Sequence, residues 1–320
     1  MSFNDAFESA EDLEDLFEVT NSIKDKNGHS AKLTFLMNPA NPDFKKIEAD
    51  NFKKFYSESF SETLEKREDG DAIYKTYESA INNNFLEVGF HGREHLNVNQ
   101  WLTDLKKNDN LAHLGFKNKT WGFSKNYISE YNKTYRSTFN IQNVNELEKL
   151  KVNIKEGVAL LNNIFNQKTT YFLPPDGPYH LDLNQTLADN GIEYIGLAKL
   201  HNNPLDYKWY QKKLFWLGKK TKEGLTVITR NVMFEPSSPR HKSWVEPALS
   251  QIEEAFKNKN PAVVSSHRAN YVSTLNPQNR ENGLDQLKTL LHQIKSKWPD
   301  VEFMTSSELG QTIRESKNAK

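Results

Sequence analysis

Short apolar runs and longer amphipathic segments alternate along almost the whole chain, and this alternation limits the fold more than any other feature. The strand-like runs are "AKLTFLMN" (31–38), "FLEVGFHG" (85–92), "TTYFLPP" (169–175), "IEYIGLA" (192–198), "LTVITRNVMFEP" (225–236), "PAVVSSHRANYV" (261–272) and the start of "VEFMTSSELGQTI" (301–313). Between them lie helical segments. Residues 9–24 have Ser9 as N-cap and an apolar stripe of Leu13, Leu16, Phe17 and Ile23. Further helices are expected over 72–84, 94–108, 145–167, 181–191, 244–260 and 283–299. "PANPD" (39–43) reads as a turn, and the helical character of 52–70 is expected to stop at Gly70.

The strand-like runs are apolar along their length more than alternating, as in a sheet covered on both faces. Repeated strand-then-helix units without an evident linker imply an α/β fold with a largely parallel sheet. The number of units favours a barrel over an open sheet. A single domain over 1–320 is the expected organisation. The first element is a helix, whereas a barrel of such units begins with a strand. Either the topology differs from such a barrel, or the first strand is missing from this chain.

Composition narrows the function. Lys+Arg and Asp+Glu are both 42 in 320 residues, so the chain lacks the basic footprint of a nucleic-acid binder. There is no cysteine, which rules out disulfides, thiolate metal sites and a cysteine nucleophile. The acidic start "MSFNDAFESAEDLEDLFEV" has no signal-peptide pattern, and no apolar run approaches the roughly 18 residues of a membrane span. The expectation is a cytoplasmic protein without a membrane span, of open oligomeric state.

In parallel α/β folds, function collects at the carboxyl ends of strands. Those positions hold Asn38; His91, Arg93, Glu94 and His95; Asp176, Tyr179 and His180; Arg230, Asn231 and Glu235; His267, Arg268 and Asn270; and Glu308. A spacing of four would put His91 and His95 on one side of a helical turn, about 6 Å apart, which suits capture of one ion. The pair would equally serve as strand-end side chains bonded to backbone carbonyls or to Glu94. His267 follows the most apolar strand, so its ring is expected to be partly buried, as a general acid or as a packing residue. Arg230 with Glu235, and Asp176 with Tyr179 in the stiff "PPDGP" loop, would orient a substrate or act as ion pairs and turn residues.

With these residues assembled, the chain resembles the polysaccharide deacetylase family. "HGREH" resembles its His-x-x-x-His metal motif, "YFLPPDGPY" its groove motif, "AVVSSHRANY" its late strand with a catalytic histidine, and "KLTFLMN" its second strand. The resemblance implies a distorted (β/α) barrel and removal of acetyl groups from an N- or O-acetylated carbohydrate. It implies His91 and His95 as ligands of a divalent metal ion, zinc, His267 as general acid, and Tyr179 lining the sugar groove. Asp176, Arg230 and Arg268 are the further candidate substrate contacts. Two departures stand out. Leu173 occupies the groove motif's arginine position, and the family's Thr-Phe-Asp-Asp strand, with the general base and third ligand, is absent. Asp5, Glu94 or Asp176 would have to complete the metal site. Two alternatives remain: an inactive deacetylase-like fragment or glycan-binding protein, and a barrel glycoside hydrolase using paired carboxylates such as Glu94, Asp176, Glu235 and Glu308.

Overall fold

A computed structural model of the chain describes residues 6–122, 134–201, 203–205 and 212–318. These fall into two compact units. One comprises Met1–Phe35, Leu64–Glu87 and Thr229–Lys320; the other comprises Leu36–Thr63 and Val88–Ile228.

The main sheet has five strands, Leu33–Met37, Leu86–Phe90, Tyr171–Phe172, Tyr194–Gly196 and Thr226–Ile228, which neighbour one another in chain order. The last four run parallel, with Phe90 opposite Phe172, Tyr171 opposite Tyr194 and Tyr194 opposite Thr226. The protein is therefore a mixed α/β fold with a parallel central sheet. Its last four strands are largely buried, with Val88, Phe90, Phe172, Ile195, Val227 and Ile228 having no exposed surface, whereas Leu33–Met37 is half-buried throughout.

In the second unit the long helix Leu147–Phe165 carries its buried stripe through Leu150, Ile154, Val158 and Leu161. It approaches the strand end closely at Gly157, where a Cβ would lie 2.7 Å from the Phe90 ring and 3.0 Å from Arg93 Cβ. Only glycine lets helix and strand meet there. A separate aromatic core joins Ile47, Leu96, Trp101, Leu105, Phe116 and Tyr135. Leu96 is fully buried in it, which anchors the loop following the Leu86–Phe90 strand.

In the first unit, helix Ala10–Asn21 opens with a reciprocal capping box between Ser9 and Asp12. Leu13, Leu16 and Phe17 are buried as its period dictates. Val232–Met233 and Val264–Ser265 form a parallel pair. A core of Val232, Phe234, Trp244, Leu249, Ile252, Leu290 and Ile294 joins this pair to helices Val245–Lys257 and Pro277–Lys297.

Several expectations are corrected. Gly70 begins helix Gly70–Asn82 instead of ending one: the preceding helix stops at Glu65, and the turn between brings Gly70 so close to the Leu64 carbonyl oxygen that a Cβ would sit 2.1 Å from it. Within "PANPD", Ala40–Pro42 is a short strand antiparallel to Ser57–Ser59. The run 225–236 divides into two strands of different sheets, Thr226–Ile228 and Val232–Met233. Residues 301–305 form no strand, and helix Ser306–Asn318 follows them. Among the described residues the strands form one five-stranded and three two-stranded sheets.

Candidate functional site

The second unit holds the histidine pair. His91 directly follows the Leu86–Phe90 strand, and its backbone N–H donates to the Met37 carbonyl at 3.0 Å. Gly92 turns the chain at φ 86°, and a Cβ there would press on the Phe139 ring at 3.3 Å. The helix starts only at Val98, with Asn97 as its N-cap, so His91 and His95 do not share a helical turn. Their rings nevertheless lie 5.2 Å apart, centroid to centroid. A loop brings them together.

That loop is held at many points. Asn38 donates to the carbonyls of His91 (2.5 Å) and Gly92 (2.9 Å). Thr138 Oγ1 donates to Glu94 O at 2.7 Å, and Trp121 Nε1 to His95 O at 2.7 Å. Glu94 is 1% exposed, and Arg93 Nε and Asn153 Nδ2 each donate to its carboxylate at 2.7 Å. Burial raises the Glu94 carboxyl above its ordinary pKa, opposed by the Arg93 charge. Glu94 thus braces the loop, and its oxygens are engaged with Arg93 and Asn153.

Both imidazoles make the same kind of anchor. His91 Nδ1 is 2.6 Å from Leu173 O, and His95 Nδ1 is 2.8 Å from Arg136 O. A carbonyl oxygen only accepts, so each Nδ1 carries a proton, and in a neutral ring the lone pair sits on Nε2. Burial pushes the His95 pKa below its ordinary value, against the opposing pull of Asp176, so His95 is neutral at pH 7. Asp176 sits at φ 54° in the proline-rich loop, with Oδ2 3.3 Å from Ser137 Oγ and 3.4 Å from Arg136 Nε.

A carbonyl on Nδ1 and a lone pair on Nε2 is the usual arrangement of histidine ligands around metal ions. The donor chemistry of the pair fits a borderline ion such as zinc. Among the described residues no group of three or more His, Cys, Asp or Glu side chains stands ready to hold an ion. Asp5 lies outside the described residues. His91 and His95 therefore supply two donors, one short of the three protein ligands of a catalytic zinc site.

The first unit holds a different histidine site. In the parallel pair, Met233 lies opposite Ser265. Two residues beyond each, Glu235 and His267 meet, with His267 Nδ1 2.5 Å from Glu235 Oε1. Equal offsets from a paired position put side chains side by side in a parallel ladder. Glu235 is 2% exposed, and its Oε2 accepts from Asn270 Nδ2 at 2.8 Å. Asn270 is fully buried, and its carbonyl is packed against helix Pro277–Lys297 at Gly283, where a Cβ would fall 1.9 Å from it. The His267 side chain is 60% exposed, which corrects the expectation of a partly buried ring: the run before it is short and half-exposed.

The remaining expected residues are distributed as follows. Glu235 pairs with His267 and not with Arg230, whose Nη1 donates to Ser265 Oγ at 2.8 Å. Arg268 Nη1 is 3.0 Å from Glu8 Oε2, and Glu8 Oε1 accepts from the buried Tyr77 hydroxyl at 2.5 Å. Tyr179 is fully buried, its hydroxyl donating to Asn184 Oδ1 at 3.0 Å and its ring packed on Phe139 and Phe172. It belongs to the core beneath the loop and offers no surface to a groove. Glu308 is tied to Lys32.

No family model matches the chain. No curated protein matches it either. Several solved structures resemble it over most of its length. A protein assigned as a polysaccharide deacetylase from Mycobacterium smegmatis is 12% identical, with TM-score 0.45, over 96% of this chain and 78% of that one. A GH57-type branching enzyme from the hyperthermophilic archaeon Pyrococcus horikoshii is 12% identical, with TM-score 0.46, over 96% of this chain and 64% of that one. The α-amylase AmyC from Thermotoga maritima is 12% identical, with TM-score 0.40, over 95% of this chain and 61% of that one.

Proposed function

We propose that the chain is a metal-dependent hydrolase of the deacetylase type, acting on an N- or O-acetylated carbohydrate, with a divalent ion, zinc, on His91 and His95. One observation carries the reading: two imidazoles 5.2 Å apart, each fixed through Nδ1 to a backbone carbonyl. A bound ion would supply Lewis acidity toward an acetyl carbonyl and toward water. The chain's own residues do the rest. The Asp176 charge beside His95 favours a cation there. His267, whose Nδ1 lies against the Glu235 carboxylate, is the proposed general acid for the departing amine or alkoxide. Arg230 and Arg268 are the proposed substrate contacts flanking that histidine. The distorted barrel belongs to the same proposal, supported by a sheet whose spatial order is its chain order.

A second reading, a glycan-binding protein without catalysis, is favoured by the lack of a third placed ligand among the described residues. Elemental analysis and acetate release from N-acetylated oligosaccharides separate the two. The hydrolase reading expects stoichiometric zinc and acetate, both lost in His91→Ala, and acetate alone lost in His267→Ala. Sugar binding without metal or acetate supports the second reading.

A further inference from the structure

Charge is balanced over the whole chain but not over residues 199–222. That stretch holds seven lysines, at 199, 208, 212, 213, 219, 220 and 222, against a single acidic residue, Asp206. Within it, Leu200–His201 and Lys213–Leu214 pair as an antiparallel hairpin, with Leu200 opposite Leu214 and His201 opposite Lys213. Alternation then assigns the faces. His201 and Phe215 turn inward, 1% and 5% exposed, with ring centroids 5.8 Å apart. His201 Nε2 lies 2.8 Å from Tyr179 O, which ties the hairpin to the proline-rich loop. Leu200, Leu214 and Trp216 turn outward and are 55%, 53% and 52% exposed. The Lys219 ammonium lies 4.4 Å from the Trp216 ring centroid. Lys199, Lys212, Lys213 and Lys220 are exposed in the same stretch.

We propose that this hairpin is a docking surface for an anionic lipid bilayer. An outward cluster of two leucines and a tryptophan, with Lys219 on the tryptophan and further exposed lysines in the same stretch, matches the interfacial zone of a bilayer: apolar side chains enter the acyl boundary while ammonium groups meet lipid phosphates. Lysine stems cover the apolar edge while their heads stay in water. A sugar polymer would use the aromatic faces and the charges but gives the paired leucines no partner. Moreover, one face of Trp216 is already covered by Lys219. No described helix is long and apolar enough to cross a membrane.

Vesicle co-sedimentation of the full chain tests this directly. The probes are vesicles of phosphatidylcholine alone and with about 30% phosphatidylserine. The bound fraction should rise at least about fivefold with phosphatidylserine and fall with added salt, since exposed charges are screened. Trp216→Ala with Leu214→Ser, and separately Lys212→Glu with Lys213→Glu, should each remove most of that binding. Because all four side chains are exposed, circular dichroism should match wild type. Equal binding to both vesicle types overturns the proposal, as does full binding by both variants. Retention on an acidic polysaccharide without vesicle binding also overturns it. None of these readouts depends on His91, His95 or His267, so failure here leaves the hydrolase reading untouched.

Discussion

Two histidine sites follow strand ends in this protein, and they differ in what their Nδ1 atoms touch. His91 and His95 rest on the neutral carbonyls of Leu173 and Arg136. His267 rests on the buried carboxylate of Glu235. A carbonyl fixes the tautomer of a neutral ring and leaves it a Lewis base, whereas a carboxylate also stabilises the protonated ring. Burial sharpens the contrast: it lowers the His95 pKa, while the His267 ring is 60% exposed. The proposed function assigns a cation to the first pair and proton transfer to the second.

The largest effect that separates the two sites is expected from His91→Ala. Zinc affinity, read by isothermal titration, should fall on the order of 100-fold or more, since a single remaining imidazole holds zinc poorly. Glu235→Gln should leave that affinity within about twofold and lower the rate of acetate release by about 100-fold, through loss of the charge behind His267. If Glu235→Gln removes zinc, the two sites are not chemically separate.

Bracing of the loop gives the next largest effect. Glu94→Ala leaves Arg93 without its buried carboxylate, and the urea midpoint should report a loss of about 3 kcal/mol. Asn38→Ala removes two hydrogen bonds to the loop carbonyls and should cost about 1–2 kcal/mol, with roughly tenfold weaker zinc binding. An unchanged zinc affinity would mean that this clamp does not position the ring.

The smallest effect is a pH dependence. The folded-state pKa of His95 lies below that of the unfolded chain, so the unfolded chain takes up the proton first as pH falls. Stability should therefore decline below about pH 6.5 and be unaffected by this group above it. Denaturation of wild type and His95→Asn at about pH 7 and about pH 5.5 checks the sign: the variant should lose less on acidification.

Much of the fold was legible in the sequence because it rests on local rules. The Ser9 cap, the stripe of Leu13, Leu16 and Phe17, and the apolar strands at 33–37 and 86–90 are all where the sequence patterns put them. Gly70 departs from the expected helix stop because the chain turns back after Glu65 and packs it on the Leu64 carbonyl. The apolar "AVVSS" run implies a partly buried His267 ring, yet only Val264–Ser265 pairs there, and Val264 is 44% exposed. The convergence of His91 and His95 was visible in their spacing, although the helical turn invoked for it is a loop. Their anchors were not visible, since the accepting atoms are backbone carbonyls and carry no side-chain signal. Leu173 is the example: the group that holds His91 is its carbonyl, not its side chain.

Long-range ¹H–¹⁵N NMR of the histidine rings, recorded near neutral pH during a zinc titration, tests the central contrast most directly. His91 and His95 are expected in the Nδ1–H form, with both Nε2 resonances moving together and saturating at one equivalent of zinc. The His267 resonances should stay in place. Nε2–H forms at either residue, or Nε2 signals that ignore zinc, would contradict it.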